Sequence, residues 1–314
     1  MRSSNNEAAA ALLDVVIVGG GPAGLAAALT LGRARKQVLL CDAGPRRNAA
    51  AERIHNFVTR DGTPPDTFRG IARDQLATYP SVRVEDARVE AITGGRDRFS
   101  VRVDGREVLA RRILLCTGMV DELLPIEGFR ELWGHGIYQC PYCHGWEARD
   151  RPWGVLAQES TAGHLLPFAL QLLSWTREVR VFRAEGFAID PEVRRQLESA
   201  GLEVMSSAVS RLIGEDGHLT GVELADGSRA PCAALFAHPP QRQLELVQGL
   251  GLALEPDGFV TCHPMTRETS VAGVYAAGDL TSRMQAAIAA SAAGMQAAAA
   301  INLDLMMSRA GAPR

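Results

Sequence analysis

Residues 14–24 read Asp-Val-Val-Ile-Val-Gly-Gly-Gly-Pro-Ala-Gly. A short apolar run ends abruptly at three consecutive glycines, and an alanine-rich stretch from Leu25 to Arg33 follows with helical character. A second apolar run, Val38–Cys41, stops at Asp42. Strand, glycine turn, helix, strand and acid in this order predict a β-α-β unit that binds a dinucleotide. Gly19, Gly21 and Gly24 let the backbone approach a pyrophosphate, the helix N-terminus stabilises its charge, and Asp42 accepts from a ribose hydroxyl. A lone Gly-x-Gly-x-x-Gly is weak, but with the flanking elements in register it is specific.

The pattern continues outward. Asp61-Gly62-Thr63-Pro64-Pro65 marks a turn before a helix start. Strand-like runs at 82–84, 87–92, 99–103 and 107–110, separated by Gly94-Gly95 and Asp104-Gly105, predict a β-meander. Another apolar run at 113–116 ends in Thr117-Gly118. Then a second α/β succession begins: strand Trp153–Ala157, helix 162–175, strand 178–182, helix Pro191–Ser199, strand 203–206, a hairpin around 214–217 and a buried strand at 233–237. The run 273–277 returns to the first domain, Gly278-Asp279 follows it, and 284–305 predicts a long alanine-rich helix packed closely on the sheet. The expected fold class is α/β: two Rossmann-like, three-layer domains, the first (12–118 and 243–314) interrupted by a smaller inserted one (119–242).

The inserted stretch carries Cys140-Pro-Tyr-Cys143-His144-Gly145-Trp146-Glu147. Two cysteines at this spacing can close a small disulfide ring, and such pairs often hold one thiolate of low pKa. Alone the motif is ambiguous between redox and metal work. Structural zinc usually takes four ligands, commonly two such pairs. There is no second Cys-x-x-Cys, so no metal is expected, although His135 and His144 keep a site conceivable. Histidine titrates near neutrality and can take a proton from a thiol, so His144 is the leading candidate base and His135 the second. Trp133, Tyr138, Tyr142 and Trp146 surround the pair in sequence, either as core packing or as an apolar wall for a small flat substrate. Cys41, Cys116, Cys232 and Cys262 lie in or beside apolar runs and read as packed.

The chain has 314 residues, enough for about two domains. Apolar residues make up 46% and charged residues 22%, as in ordinary soluble proteins. The net charge of −3 gives no broad attraction to nucleic acid. Residues 1–11 lack the pattern of a signal peptide, and no run reaches the roughly 18 to 20 apolar residues of a spanning helix. The expectation is a cytoplasmic protein with neither nucleic-acid nor membrane partner, in which six cysteines do not form a structural disulfide framework.

Taken together, these residues resemble the low-molecular-weight thioredoxin reductase family of flavoproteins, over about residues 13–305. The carriers are Gly19-Gly20-Gly21-Pro22-Ala23-Gly24, Cys116-Thr117-Gly118, Cys140-Pro-Tyr-Cys143 and Ala276-Ala277-Gly278-Asp279. The resemblance implies FAD held by Gly19, Gly21, Pro22, Ala23, Gly24 and Asp42, with Thr117, Gly118 and Gly278 close by and Asp279 bonded to the ribityl chain. Gln285 and Ala286 would pass beside the isoalloxazine, and Asn56, after His55, matches a flavin-contacting loop. Cys143 would face the flavin and Cys140 would meet the external partner. A homodimer is implied as well.

Two departures narrow the resemblance. The family's inserted domain has a Gly-x-Gly-x-x-Ala turn after its first strand, then a His-Arg-Arg cluster for the NADPH 2′-phosphate. Here the turn reads Gln158-Glu159-Ser160-Thr161-Ala162-Gly163, and Arg183 stands alone. Two negative groups about 4 Å apart repel by about 4 kcal/mol at an effective dielectric of 20, so Glu159 opposes a phosphate. His144 also replaces the family's usual Asp after the second cysteine. The Cys-His-Gly continuation and the altered turn are similar to the FAD-dependent dithiol oxidases that close disulfides in natural products such as gliotoxin and holomycin, within antibiotic biosynthesis. That resemblance implies a small-molecule dithiol as substrate, with electrons passing through Cys140 and Cys143 to FAD and then to O2, giving H2O2. Alternatives are a disulfide reductase fed by another donor such as ferredoxin, a working NADPH enzyme with a diverged site, and a non-catalytic flavin-binding module.

Overall fold

The computed structural model describes residues 12–44 and 46–311; residues 1–11, on which the reading of a missing signal peptide rests, lie outside them. From the N-terminus the elements are β1 (Leu13–Val18), α1 (Pro22–Arg33), β2 (Val38–Cys41), α2 (Pro65–Leu76), β3 (Val82–Glu85), β4 (Val89–Gly95), β5 (Arg98–Val103), β6 (Arg106–Leu115), β7 (Val120–Asp121), α3 (Phe129–Leu132) and β8 (Ile137–Tyr138). There follow α4 (Pro141–Ala148), β9 (Trp153–Ala157), α5 (Leu165–Leu172), β10 (Val179–Arg183), α6 (Pro191–Ser199), β11 (Glu203–Glu215), β12 (His218–Leu224), β13 (Arg229–Pro231) and β14 (Ala234–Phe236). The last are β15 (Gln241–Arg242), α7 (Glu245–Gln248), β16 (Val274–Ala276) and α8 (Ala287–Ala310). The chain forms two compact units: Met1–Arg47 with Pro65–Val120 and Arg242–Arg314, and Asn48–Pro64 with Asp121–Gln241. Residues 48–64, expected within the first domain, thus group with the second unit.

In the first unit β3, β2, β1, β6 and β16 are parallel neighbours, and β4, β5 and the first half of β6 form an antiparallel meander. Both faces of the parallel sheet are covered, so β1 is buried along its length without alternation, and its one charged residue, Asp14, pairs with Arg309. Val16 and Val18 pack under the meander, while Val15 and Ile17 pack under α1 and α8. The alanines of α8 serve close helix packing: a Cβ on Gly294 would fall 2.0 Å from the Ala23 carbonyl oxygen in α1.

Three expectations change here. The 82–84 run joins β2 in parallel and not the meander, because the crossover helix α2 returns the chain in the same direction. The runs at 107–110 and 113–116 are one strand, β6, which crosses a fully buried Arg112. Arg112 is accommodated because it donates to Asp97 and Ser308, each at 2.8 Å, and also pairs with Asp304. Finally, α8 starts at Ala287, leaving Gln285 and Ala286 just before its first turn.

The second unit repeats the plan with strand order β13-β12-β11-β10-β9-β14-β8. The β11 strand runs 13 residues, parallel to β10 at its start and antiparallel to β12 beyond. Its core lies on both faces, with Phe182 and Leu156 on one side and Val181, Val155 and Trp153 on the other. The helix expected at 162–175 is shorter. A 3-10 turn, Glu159–His164, precedes α5.

Candidate active site

At the glycine turn in the first unit, Gly19 has φ +110. A Cβ there would meet the Cys116 carbonyl oxygen at 2.3 Å, and one on Gly24 would meet the Gly19 carbonyl oxygen at 1.9 Å. These two glycines seat α1 against the strand ends. Gly21 is different: nothing lies within 4 Å of its Cβ position, and the same holds for Gly118. Gly21 is also the N-cap of α1 and supplies no side-chain cap, with Pro22 and Ala23 opening the helix. The first-turn N–H groups are therefore presented beside open space, the requirement for a pyrophosphate.

Asp42 is buried at the end of β2 beside Gly20, accepts from the Gly44 N–H at 3.2 Å and pairs with Arg69. Thr117 directly follows buried Cys116. Gly278 has φ +93, a conformation that favours glycine, and turns the chain into Asp279, which pairs with Arg47 at 2.9 Å. Gln285 donates its N–H to the Arg283 carbonyl, and Ala286 caps α8. This set fits FAD: an open glycine cradle for phosphates, an acid for the adenosine ribose and an acid at the other strand end. Asn56, the remaining residue of the expected set, is described within its own unit. That residue belongs to the second unit, with φ +57 and its N–H on Asp61 at 2.8 Å.

In the second unit Cys140 is the N-cap of α4 and Pro141 opens the helix, where a missing N–H costs nothing. Cys140 and Cys143 form a disulfide with Cα atoms 5.3 Å apart. Both sulfurs sit at a helix N-terminus, which stabilises a thiolate released there. Gly145 lets α4 lie against the aromatic core, for a Cβ there would come 2.9 Å from the Trp153 ring. The four aromatics divide. Trp133 stacks on Phe129 and Tyr138 lies flat on His144, with centroids 4.4 Å apart. Tyr142 and Trp146 are 58% and 66% exposed on one face of α4, with the Arg149 guanidinium 3.9 Å over Trp146.

The two candidate bases lie in different surroundings. Burial, reinforced by the charge of His55, pushes the His144 imidazole down to about 4, against the opposite pull of Glu147 and the Cys140 backbone. Neither buried ring nitrogen makes a well-aligned hydrogen bond. His144 is thus neutral at pH 7 but a much weaker base than a free histidine. His135 stands before β8, with its carbonyl on the Leu219 N–H and its ring beside His218, while the disulfide follows the other end of that strand. Burial raises the Cys41 and Cys232 thiols to about 12 and pushes Cys116 and Cys262 upward as well. The buried thiols among them, Cys41, Cys116 and Cys232, are inert. Among the described residues no group of three or more His, Cys, Asp or Glu side chains is placed to hold a metal, and no helix is long and apolar enough to cross a membrane.

The turn after β9 is closed by its own side chains. The Gln158 N–H donates to Thr161 Oγ1 at 2.9 Å, and that hydroxyl donates to the Gln158 carbonyl at 2.9 Å. Ser160 Oγ donates to the His238 carbonyl at 2.6 Å, and Gln158 Nε2 donates to the same oxygen. Glu159 is exposed on the first turn. Arg183 is occupied by carbonyls, its Nε donating to Ser206 at 2.9 Å and its Nη1 to Phe187 at 3.3 Å. His238 and His164 were missed by sequence reasoning. The available signal was the position of His238 just past the buried strand β14, at the carboxyl end of a parallel sheet, where α/β sites form.

Two α/β units, an open dinucleotide cradle and a helix-borne disulfide define a flavin-dependent disulfide oxidoreductase. The family model described as "Pyridine nucleotide-disulphide oxidoreductase" matches residues 13–294, and the chain belongs to that family. Within it the chain is thioredoxin reductase-like and FAD is its cofactor. It is similar to thioredoxin reductase sirT of Leptosphaeria maculans, 31% identical over 307 residues, covering 91% of this chain and 92% of the relative. The crystal structure of HlmI shares 35% identity at a TM-score of 0.88, covering 96% of this chain and 94% of that one. An oxidoreductase from Agrobacterium tumefaciens also shares 35% identity, at a TM-score of 0.87, covering 95% and 99%.

Proposed function

We propose that this protein is an FAD-dependent dithiol oxidase that closes an intramolecular disulfide in a small natural-product dithiol. One observation carries the reading. Where a pyridine nucleotide's phosphates would need a glycine turn, Gln158, Ser160 and Thr161 fill the turn with their own hydrogen bonds, leaving the dithiol as the source of electrons.

The residues divide the work as follows. A substrate thiolate attacks the Cys140 sulfur; the Cys140–Cys143 bond breaks, and Cys143 leaves as a thiolate stabilised by the N-terminus of α4. The second substrate thiol, after losing its proton, attacks the substrate sulfur of the mixed disulfide and releases Cys140. The substrate is oxidised by two electrons, and the cysteine pair holds them. FAD supplies the acceptor that restores the pair, with O2 as final oxidant and H2O2 as product. Asp42, Gly21 and Asp279 hold that cofactor. Tyr142 and Trp146, exposed beside the pair, give a flat apolar wall for the substrate. His144 keeps the neutral form needed to accept a proton, and its depressed basicity limits it to a transient acceptor. A cytoplasmic homodimer belongs to the same reading, supported by the exposed Met295, Leu303 and Met306 on α8.

The test is aerobic turnover of a small cyclisable dithiol. Cys140→Ser and Cys143→Ser are each expected to abolish peroxide formation; wild-type turnover in either variant contradicts the relay. The closed turn also favours a second reading, a disulfide reductase fed by a donor such as ferredoxin. Such an enzyme would consume oxygen slowly and reduce a protein disulfide once its flavin is photoreduced.

A further inference from the structure

The closed turn is bonded to the redox pair through one histidine. Gln158 and Ser160 hold the His238 carbonyl. The ring of that residue reaches the carbonyl of Gln139, the residue before Cys140, with Nε2 at 3.0 Å. A carbonyl can only accept, so Nε2 carries the proton. His238 Nδ1 faces His164 Nε2 at 3.3 Å, within hydrogen-bond reach. The Phe168 ring packs 4.7 Å from His238. Gln139 is held from its other end as well, its side-chain Nε2 donating to Asp121 at 3.0 Å, where Gln241 also donates at 2.8 Å.

We propose that the segment in place of the phosphate-binding turn is a clamp for Cys140, with His238 as the positioning residue that fixes the Gln139–Cys140 peptide. The inference rests on the reading of Cys140–Cys143 as the working redox pair. Its physical content is the effective concentration of one thiol for the other. That quantity is high when geometry is fixed and falls when the chain is loosened. Two anchors on Gln139 keep Cys140 at the N-cap position with its sulfur toward Cys143. Losing the His238 anchor gives Cys140 more freedom in the dithiol state, so the disulfide becomes less favoured. The altered turn therefore adds a redox contribution to the loss of a nucleotide site.

The experiment equilibrates the purified holoprotein without oxygen in buffers of reduced and oxidised glutathione, then counts free Cys140 and Cys143 by maleimide labelling and peptide mass spectrometry. His238→Ala is expected to shift the equilibrium about fivefold toward the dithiol, the worth of one ordinary hydrogen bond. His238→Gln, whose side-chain amide can donate to the same carbonyl, is expected to stay within about twofold of wild type. Ser160→Ala and His164→Phe carry the test if His238→Ala does not fold, each with a shift of about twofold in the same direction. Equilibria unchanged by His238→Ala, equal shifts for His238→Gln and His238→Ala, or no shift in the two supporting variants overturn the clamp. The readout uses neither substrate nor oxygen. A protein that shows these shifts yet fails to oxidise dithiols overturns the functional reading and leaves the clamp standing.

Discussion

His144 shows how far a side chain's surroundings can move it from its type. Adjacency to Cys143 made it legible as a candidate, but its proton affinity was not, because Tyr138 comes from another element and stacks over the ring only in the fold. The consequence is measurable. Folded His144 binds a proton less readily than in the unfolded chain, so its neutral form contributes stability in full above about pH 6.5. That contribution is lost as pH falls and is gone below about 4. Between pH 7.5 and 4.5, denaturant unfolding should show wild type losing roughly 2 to 3 kcal/mol more than His144→Phe. Equal losses would mean that the ring is solvated. His238 shows the opposite limit. Nothing within a few residues of it points to Cys140, and only the pairing of β14 with β8 brings the two stretches together.

Among the elements, β6 and α8 were the least legible. Arg111-Arg112 reads as a break between two strands, since charged residues rarely enter a buried sheet alone. The break vanishes because Asp97, from the turn between β4 and β5, and Asp304, from α8, meet the Arg112 guanidinium. Asp304 also pairs with Arg96. The network therefore ties the C-terminal half of α8 to β6 and to the meander. Removing one partner of a buried ion pair costs about 3 to 5 kcal/mol. Because Asp97 remains, Asp304→Leu is expected at about 3 kcal/mol by urea unfolding. The double variant Arg112→Met with Asp304→Leu is expected to recover most of that loss, since a well-packed apolar pair avoids the desolvation of both charges. A double variant no more stable than the single one would show that the geometry of the network, and not the stranded charge, supplies the stability. The glycine turn, by contrast, was readable to the residue, because backbone contacts near 2 Å admit only glycine at 19 and 24, whereas α1 begins at Pro22, three residues before the expected start.

For the whole molecule, the repeated strand–helix succession announced two α/β units because parallel strands buried on both faces lose polar alternation and helices do not. The grouping of residues 48–64 with the second unit was hidden, since it depends on contacts and not on pattern. The altered turn was visible as missing glycines, whereas its closure by Gln158, Ser160 and Thr161 required coordinates. On that closure stands the central claim that electrons enter from sulfur and not from a pyridine nucleotide. Its most direct test is anaerobic stopped-flow absorbance of the yellow holoprotein mixed separately with NADPH, NADH and a small cyclisable dithiol. Bleaching of the flavin band by the dithiol alone, with colour returning and peroxide appearing on admission of air, is the expected result. Rapid bleaching by NADPH or NADH, with the dithiol inert, would contradict it.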